Sequence, residues 1–476
     1  MQVRLSVFRF LLGAGLSVVA LGFSLGVPCA GEERPNIVFI LADDLGYGDL
    51  GCFGQETLAT PNLDRMAAEG LRLTRHYSGS TVCAPSRCVL MTGLHTGHCT
   101  VRGNGPALLN DEDVTVAEVL KAAGYATGCF GKWGIGNPPP RDDPNRQGFD
   151  EFYGYVNMFH AHNFYPPFLI RNGELEWLEN VTKEEWLTDG REEGGPKEGA
   201  GVARVRKQYA PDLITEEALK FIEQHRDGPF FLYHALNVPH ANNEGGSDRE
   251  QQDGMEVPDY GEFASRDWPN PEKGFASMIR NIDRDVGRVI AKLRQLGIAE
   301  KTLVIFSSDN GPHQEGKHEM EFFDSNGDLR GMKRDLYEGG VRVPTIAWWP
   351  GTIEGGRVSD RLSGFQDFLP TMAELAKAEA PERLDGLSLV GTFIGEERPE
   401  THDFLYWEFQ EKGGRKAVVT ARWKAVRLNT GKSPDGPLEL YDLSVDPSET
   451  VDVADRFPEV VEAMEARLRE AHSPLK

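Results

Sequence analysis

Arg34-Pro-Asn-Ile-Val-Phe-Ile-Leu-Ala-Asp-Asp44 carries six consecutive apolar residues, Ile37 to Ala42, and stops on two acids. An unbroken apolar run of strand length, without polar alternation, is the signature of a strand buried on both faces in a parallel sheet. In open α/β sheets the ligand site lies beyond the carboxyl ends of such strands, so position alone makes Asp43 and Asp44 candidate site residues. Working outward, Ala126 to Phe130, Phe230 to Ala235 and Leu303 to Ser308 read as further strands. Helical periodicity falls at Pro61 to Glu69, Val114 to Ala123, Asp212 to Gln224, Phe275 to Leu296 and Gln366 to Ala376. Strands alternating with helices imply an α/β fold, a mostly parallel sheet between layers of helices. The Leu303 strand ends like the first one, in Asp309-Asn310. Segments 180–205 and 242–265, rich in charge and glycine, read as surface insertions of the kind that shape pockets.

After Pro381 the pattern changes to short strands, Phe404 to Phe409, Ala417 to Ala421, Lys424 to Leu428 and Leu438 to Tyr441, followed by a helix from Pro458 to Ala471. The expected organisation is a leader over 1–30, a catalytic α/β domain over 31–385 and a small α+β domain, an antiparallel sheet with one helix, over 386–476. The leader is a signal peptide by composition: Arg4 and Arg9 precede an apolar run from Phe10 to Val27 that contains no acid. It predicts a secreted or periplasmic protein. No other run is long enough to span a bilayer, so no transmembrane anchor is expected.

The formal charge of −23 excludes nucleic acid as a surface partner, since polyanions need a basic patch. Any anion handled by this chain must meet cations gathered in one cleft. The six cysteines are Cys29, Cys52, Cys83, Cys88, Cys99 and Cys129. Export permits disulfides, but spacing does not fix a pairing, and free buried thiols suit the sequence equally well.

Cys83-Ala-Pro-Ser-Arg87, closed by Met91-Thr-Gly93, places a cysteine at a helix start, where the dipole favours negative charge, with Arg87 one turn further on the same face. Asp43, Asp44, Asp309 and Asn310 together form a hard, all-oxygen set suited to Ca²⁺ or, second, Mg²⁺, and not to Zn²⁺.

These stretches resemble the type I sulfatases of the alkaline phosphatase-like superfamily, whose signature is Cys-x-Pro-Ser-Arg. The likeness extends to Gly131-Lys-Trp-Gly-Ile-Gly136, Phe230-Phe-Leu-Tyr-His-Ala-Leu-Asn-Val-Pro-His240, Leu329-Arg-Gly-Met-Lys-Arg-Asp-Leu-Tyr-Glu-Gly-Gly340 and Leu440-Tyr-Asp-Leu-Ser-Val-Asp-Pro-Ser-Glu449. The resemblance implies oxidation of Cys83 to formylglycine by a formylglycine-generating enzyme, and calcium bound by Asp43, Asp44, Asp309 and Asn310 with the modified residue 83. It further implies Arg87, Lys132 and Lys333 on the sulfate, and His240 as acid for the departing alcohol. The chain departs from the family at Gly134, where a histidine is usual and where glycine cannot take a proton. His160-Ala-His162 supplies two histidines, and His162 or His160 is expected either to replace the missing base or to contact the sugar. His234 reads as a structural strand histidine, His95 and His98 as structural. His313 and His318 are compatible with a substrate subsite or a structural loop. The implied activity is hydrolysis of sulfuric esters of a carbohydrate, galactose or N-acetylgalactosamine sulfate, or of an aryl sulfate. Alternatives are a formylglycine-dependent phosphonate monoester or phosphodiester hydrolase, and a catalytically silent sulfated-glycan-binding protein.

Overall fold

The structure is a computed structural model that describes residues 34–105, 108–136, 140–396 and 398–474. The leader over 1–30, with Cys29, lies outside the described residues.

The opening stretch becomes strand β1, Asn36–Asp43, with every residue buried. It lies at the heart of a ten-stranded sheet. In chain order the other strands are β2 Leu71–Leu73, β3 Ala126–Lys132, β4 Glu151–Tyr155, β5 Phe168–Arg171, β6 Glu174–Trp177, β7 Phe230–Pro239, β8 Thr302–Ser308, β9 Thr345–Trp348 and β10 Arg357–Ser359. The spatial order is β10-β2-β9-β8-β1-β7-β3-β4-β5-β6. The central block β8-β1-β7-β3-β4 is parallel throughout. Antiparallel pairs flank it on both sides, β8 with β9 and β9 with β2 on one, β4 with β5 and β5 with β6 on the other. These margins carry no long apolar run, so the sequence showed β8, β1, β7 and β3 and missed β4 and the flanks.

Successive side chains of β1 point to opposite faces, and each face has its own layer. Val38, Ile40 and Ala42 pack with helices α1 Pro61–Ala68, α4 Ala210–Gln224 and α5 Asn270–Gln295. Ile37, Phe39 and Leu41 pack with α2 Cys83–Thr92, α3 Val116–Ala122 and α6 Phe368–Ala376. Both layers are apolar, which is why β1 lacks polar alternation. α3 starts on a full capping box, Thr115 Oγ1 accepting from Glu118 N while Glu118 returns the bond.

The second sheet, β11 Leu405–Phe409, β12 Arg415–Val419, β13 Trp423–Leu428 and β14 Leu438–Asp442, is an antiparallel meander. Helix α7, Pro458–Glu470, covers one face through Met464 and Leu468. The other face, with Trp407, Phe409, Val426 and Tyr441, packs on Tyr77, Val82, Leu336, Tyr337 and Val341. Residues 34–476 form one compact unit. The small sheet thus buttresses both the residue before α2 and the loop after Lys333.

Candidate active site

The carboxyl ends of β1 and β8 sit side by side, Ala42 opposite Ser308, so their acids meet. Asp44 takes a left-handed φ of 67°, and its backbone N–H donates to Asp309 Oδ1 at 3.0 Å. Asn310 Nδ2 donates to Asp44 Oδ1 at 2.7 Å. Cys83, the first residue of α2, brings its Sγ to 3.3 Å from Asp43 Oδ1. One ligand atom from each of Asp43, Asp44, Cys83 and Asp309 lies within 4.8 Å of all the others.

This donor set fits a hard divalent cation on its own evidence. Asn310 Oδ1 is a buried acceptor with no hydrogen-bond partner, and such an orphan costs about 1–3 kcal/mol unless something takes its lone pairs. Burial, then the neighbouring charge of Asp43, pushes the Asp309 carboxyl up to about 7 despite Arg87. Three fully buried carboxylates gathered at this spacing favour a cation, and oxygen donors select Ca²⁺ or Mg²⁺.

Cations fill the other side. Lys132, the last residue of β3 and fully buried, donates to both Asp43 oxygens at 3.0 and 2.7 Å. Arg87 places Nε and Nη2 on Asp309 Oδ2 at 3.0 and 2.9 Å, while Nη1 donates to the Lys132 carbonyl at 2.5 Å. Burial opposes ionisation of Asp43, but Lys132 and Arg87 outweigh it and hold the carboxyl well below its usual range. For Cys83 burial and Asp43 act together and push the thiol well above its usual range. An unmodified Cys83 is therefore a neutral thiol and a poor nucleophile, since the thiolate is the reactive form.

Lys333 spends its three N–H donors on Asp44 Oδ2 at 2.7 Å, Glu315 Oε2 at 3.1 Å and His240 Nε2 at 3.1 Å. His240 directs Nδ1 at the Ala241 carbonyl, 2.7 Å away. Burial, then Lys333, pushes the imidazole down to about 3, so the ring is neutral with its proton on Nδ1. Burial opposes the charge of Lys333, but Asp44 and Glu315 keep the ammonium above its usual range. The acidic proton here rests on lysine.

The two histidines of the 160–162 turn part company. His160 Nε2 lies 2.9 Å from the Phe168 carbonyl and its ring meets Tyr155 edge-on, so it serves packing. His162 lies flat on His240, ring centroids 4.7 Å apart. Gly134 has φ +67°, a conformation that favours glycine; a Cβ there would meet Lys132 at 3.2 Å and Arg87 at 3.4 Å. The position borders the cation cluster although it carries no functional group.

Other histidines are engaged elsewhere. His313 receives the Glu315 N–H on Nδ1 and approaches the Pro239 carbonyl through Nε2 at 3.0 Å, which leaves it no free lone pair for a metal. His318 is held by Glu272 and stacked on Phe275. His234 lies between the Phe130 carbonyl and Thr215. His95 accepts the Gly97 N–H on Nδ1, so its proton is on Nε2 toward Asp385, and His98 pairs with the same carboxylate. That trio is a hydrogen-bonded seam. The five described cysteines, Cys52, Cys83, Cys88, Cys99 and Cys129, are free thiols.

Sequence reasoning did not single out Glu315, which also accepts from Arg334 at 2.6 Å, nor Glu244 and Arg191 behind His162. The available signal was electrostatic: adjacent Lys333 and Arg334, the first buried and the second half-buried, require a carboxylate partner. Spacing could not say which of many acids supplies it.

Residues 35–378 match the family described as Sulfatase, and residues 327–473 match that described as N-sulphoglucosamine sulphohydrolase, C-terminal. Human arylsulfatase A is 35% identical over 479 residues, covering 93% of this chain and 88% of its own length. Mouse N-acetylgalactosamine-6-sulfatase is 34% identical, covering 80% of this chain and 71% of its own. Among solved structures, Ps i-CgsB in complex with k-i-k-neocarrahexaose superimposes with a TM-score of 0.75 at 26% identity, over 93% of this chain and 94% of that one. Family match, relatives and fold agree, and the chain belongs to the sulfatase family, enzymes that hydrolyse sulfuric esters.

Proposed function

We propose that this protein is an exported carbohydrate sulfatase that uses a formylglycine formed from Cys83 and a bound Ca²⁺, with a galactose or N-acetylgalactosamine sulfate as substrate. The observation that carries the reading is the thiol of Cys83, set at a helix start against Asp43, in a cluster whose buried cations Arg87, Lys132 and Lys333 are held by acids. An anionic ester matches that charge pattern, and a neutral thiol does not explain it. Export rests on the charged and apolar pattern of the first 30 residues.

Asp43, Asp44, Asp309 and Asn310 would hold the cation, which when bound neutralises charge on a sulfate oxygen and favours ionisation of a nearby hydroxyl. The hydrated aldehyde at position 83 would supply the hydroxyl that attacks sulfur and a second hydroxyl through which sulfate is expelled. The protein's own residues do the rest. Arg87 and Lys132 fix positive charge where the transferring group accumulates negative charge, without reorganisation. Lys333 holds a proton against His240 Nε2, so this pair, rather than His240 alone, protonates the alcohol oxygen as it leaves. His162 replaces the imidazole that Gly134 lacks and accepts the proton released as sulfate departs. Glycan-processing relatives support the sugar substrate: the N-acetylgalactosamine-6-sulfatases by name, and the structure holding a neocarrahexaose.

The phosphonate hydrolase alternative is less supported, because that neighbour, at 22% identity, shares the fold alone. The deciding experiment is intact-protein mass of the natively produced chain together with sulfate release from galactose and N-acetylgalactosamine sulfates. Replacement of the Cys83 thiol by an aldehyde and turnover of these esters above matched phosphodiesters are expected. An intact thiol in an active enzyme, or faster phosphodiester cleavage, overturns the reading.

A further inference from the structure

Among the described residues, His162 meets the cation cluster through the His240 ring, whose plane lies 15° from its own. On its other side, Nδ1 lies 3.4 Å from Glu244 Oε2. Neither of these two buried atoms makes a hydrogen bond among the described residues, so two orphaned polar groups face each other across 3.4 Å. Glu244 is itself only 7% exposed, and its second oxygen receives Arg191 Nη2 at 3.3 Å. Burial opposes its ionisation, but His162 and Arg191 bring the carboxyl down to about 2. A buried carboxylate has thus been placed against one ring nitrogen of a histidine and against nothing in the metal cluster.

Resting on the proposed role of His162, we infer that Glu244 is the positioning residue of a His162–Glu244 pair, fixing the imidazole proton on Nδ1 and leaving Nε2 as the proton acceptor. The groups facing His162 are few. His240 stands on it from the end of β7, Glu244 lies beside Nδ1, Arg191 stands behind Glu244, and Phe159 meets it edge-on from its own turn. Beyond His240 lie Lys333, Asp44 and Glu315. Two parallel imidazoles at this spacing repel each other if both are charged. His240 has both ring nitrogens engaged, Nδ1 on the Ala241 carbonyl and Nε2 on Lys333, so the ring of the stack left to accept a proton is His162. The proton that arrives at Nε2 comes from the hydroxyl being deprotonated and leaves to water. Glu244 remains a carboxylate throughout, and its negative charge stabilises the imidazolium, the same division of labour as in other histidine–carboxylate pairs. Arg191 keeps Glu244 from turning away.

The test compares Glu244→Gln with His162→Ala and reads the ring directly. In the wild-type enzyme, ¹⁵N-histidine spectra should report His162 protonated at Nδ1, a measurement that depends on no variant folding. Glutamine keeps the shape but presents an amide that can donate to Nδ1, so the spectrum should shift to the Nε2-protonated form. Loss of this base arrangement should lower kcat by about 10- to 100-fold, toward the lower end of what general-base catalysis supplies. KM should stay within about twofold, because an interaction made only during the reaction is lost. Intact-protein mass during turnover should show an added sulfate in both variants, from slowed release. A wild-type His162 protonated at Nε2, or Glu244→Gln with unchanged kcat and tautomer beside a slow His162→Ala, overturns the inference alone. A His162→Ala enzyme that turns over normally overturns the role of His162 itself.

Discussion

Each residue of the site is defined by a charge it must answer. Cys83 offers one sulfur to Asp43 and is otherwise packed in the core. Cys83→Ala should therefore leave thermal unfolding within about 1 kcal/mol of wild type, as expected for a small change without a cavity, while turnover falls to background; a melting curve beside a sulfate assay checks both. His240 invites a finer experiment, because its Nε2 is already bonded to Lys333. His240→Ala should slow sugar sulfates by about 100-fold or more, the scale of general-acid assistance, and activated aryl sulfates far less, since good leaving groups need no proton. Equal losses on both substrates would assign His240 to architecture. At this scale the sequence was legible wherever a short motif carried the chemistry. Cys83, Arg87, Lys132, Asp43, Asp44, Asp309, Asn310, Lys333 and His240, read from those motifs, lie in one buried cluster. Choosing between His160 and His162 was not possible from text, because one residue of turn geometry decides which ring faces Phe168 and which faces His240.

Among elements, β1 explains why the fold was readable and the margins were not. Its run is apolar because both layers of helices need it, whereas β2, β5, β9 and β10 are short strands whose pairing is set by the sheet they join. The loop after Lys333 shows a dependence no motif reveals. Glu338, in the Tyr337-Glu-Gly-Gly340 turn, receives fully buried Lys424 of β13 at 2.9 Å, and Glu449 receives the Glu338 N–H at 2.6 Å. Burial, then Glu338, pushes Glu449 up to about 7 despite Lys424. A carboxyl raised on folding binds more protons in the native state, so its contribution is full below its ordinary value near 4.5 and is lost as pH rises toward about 7. Glu449→Gln should remove that slope: relative to wild type, the variant gains up to about 3 kcal/mol between pH 4.5 and pH 8. Denaturant titrations at the two values measure it, and an unchanged slope assigns the titration elsewhere.

For the whole molecule, an excess of 23 negative charges coexists with an anion-handling centre because the cations are inside and are counted against buried acids. A bound cation would join the same balance. Chelation should abolish turnover and lower the melting temperature, and Ca²⁺ should restore both better than Zn²⁺, because the donors are oxygens. Calorimetry of Ca²⁺ binding to Asp309→Ala should show at least about tenfold weaker affinity, one ligand's worth of about 1.4 kcal/mol; undiminished affinity would move the metal elsewhere. Helix α2 is the feature with the longest reach, since all ten of its residues, Cys83 to Thr92, are buried. No maturing enzyme can grip a cysteine enclosed in this way. The conversion proposed for Cys83 must take place on the nascent or unfolded chain, before the sheet closes, so the activity of each molecule is decided during its biogenesis. On that proposal a copy that folds first would stay a thiol, correctly shaped and beyond repair, and the specific activity of a preparation would record a race between two processes in the producing cell.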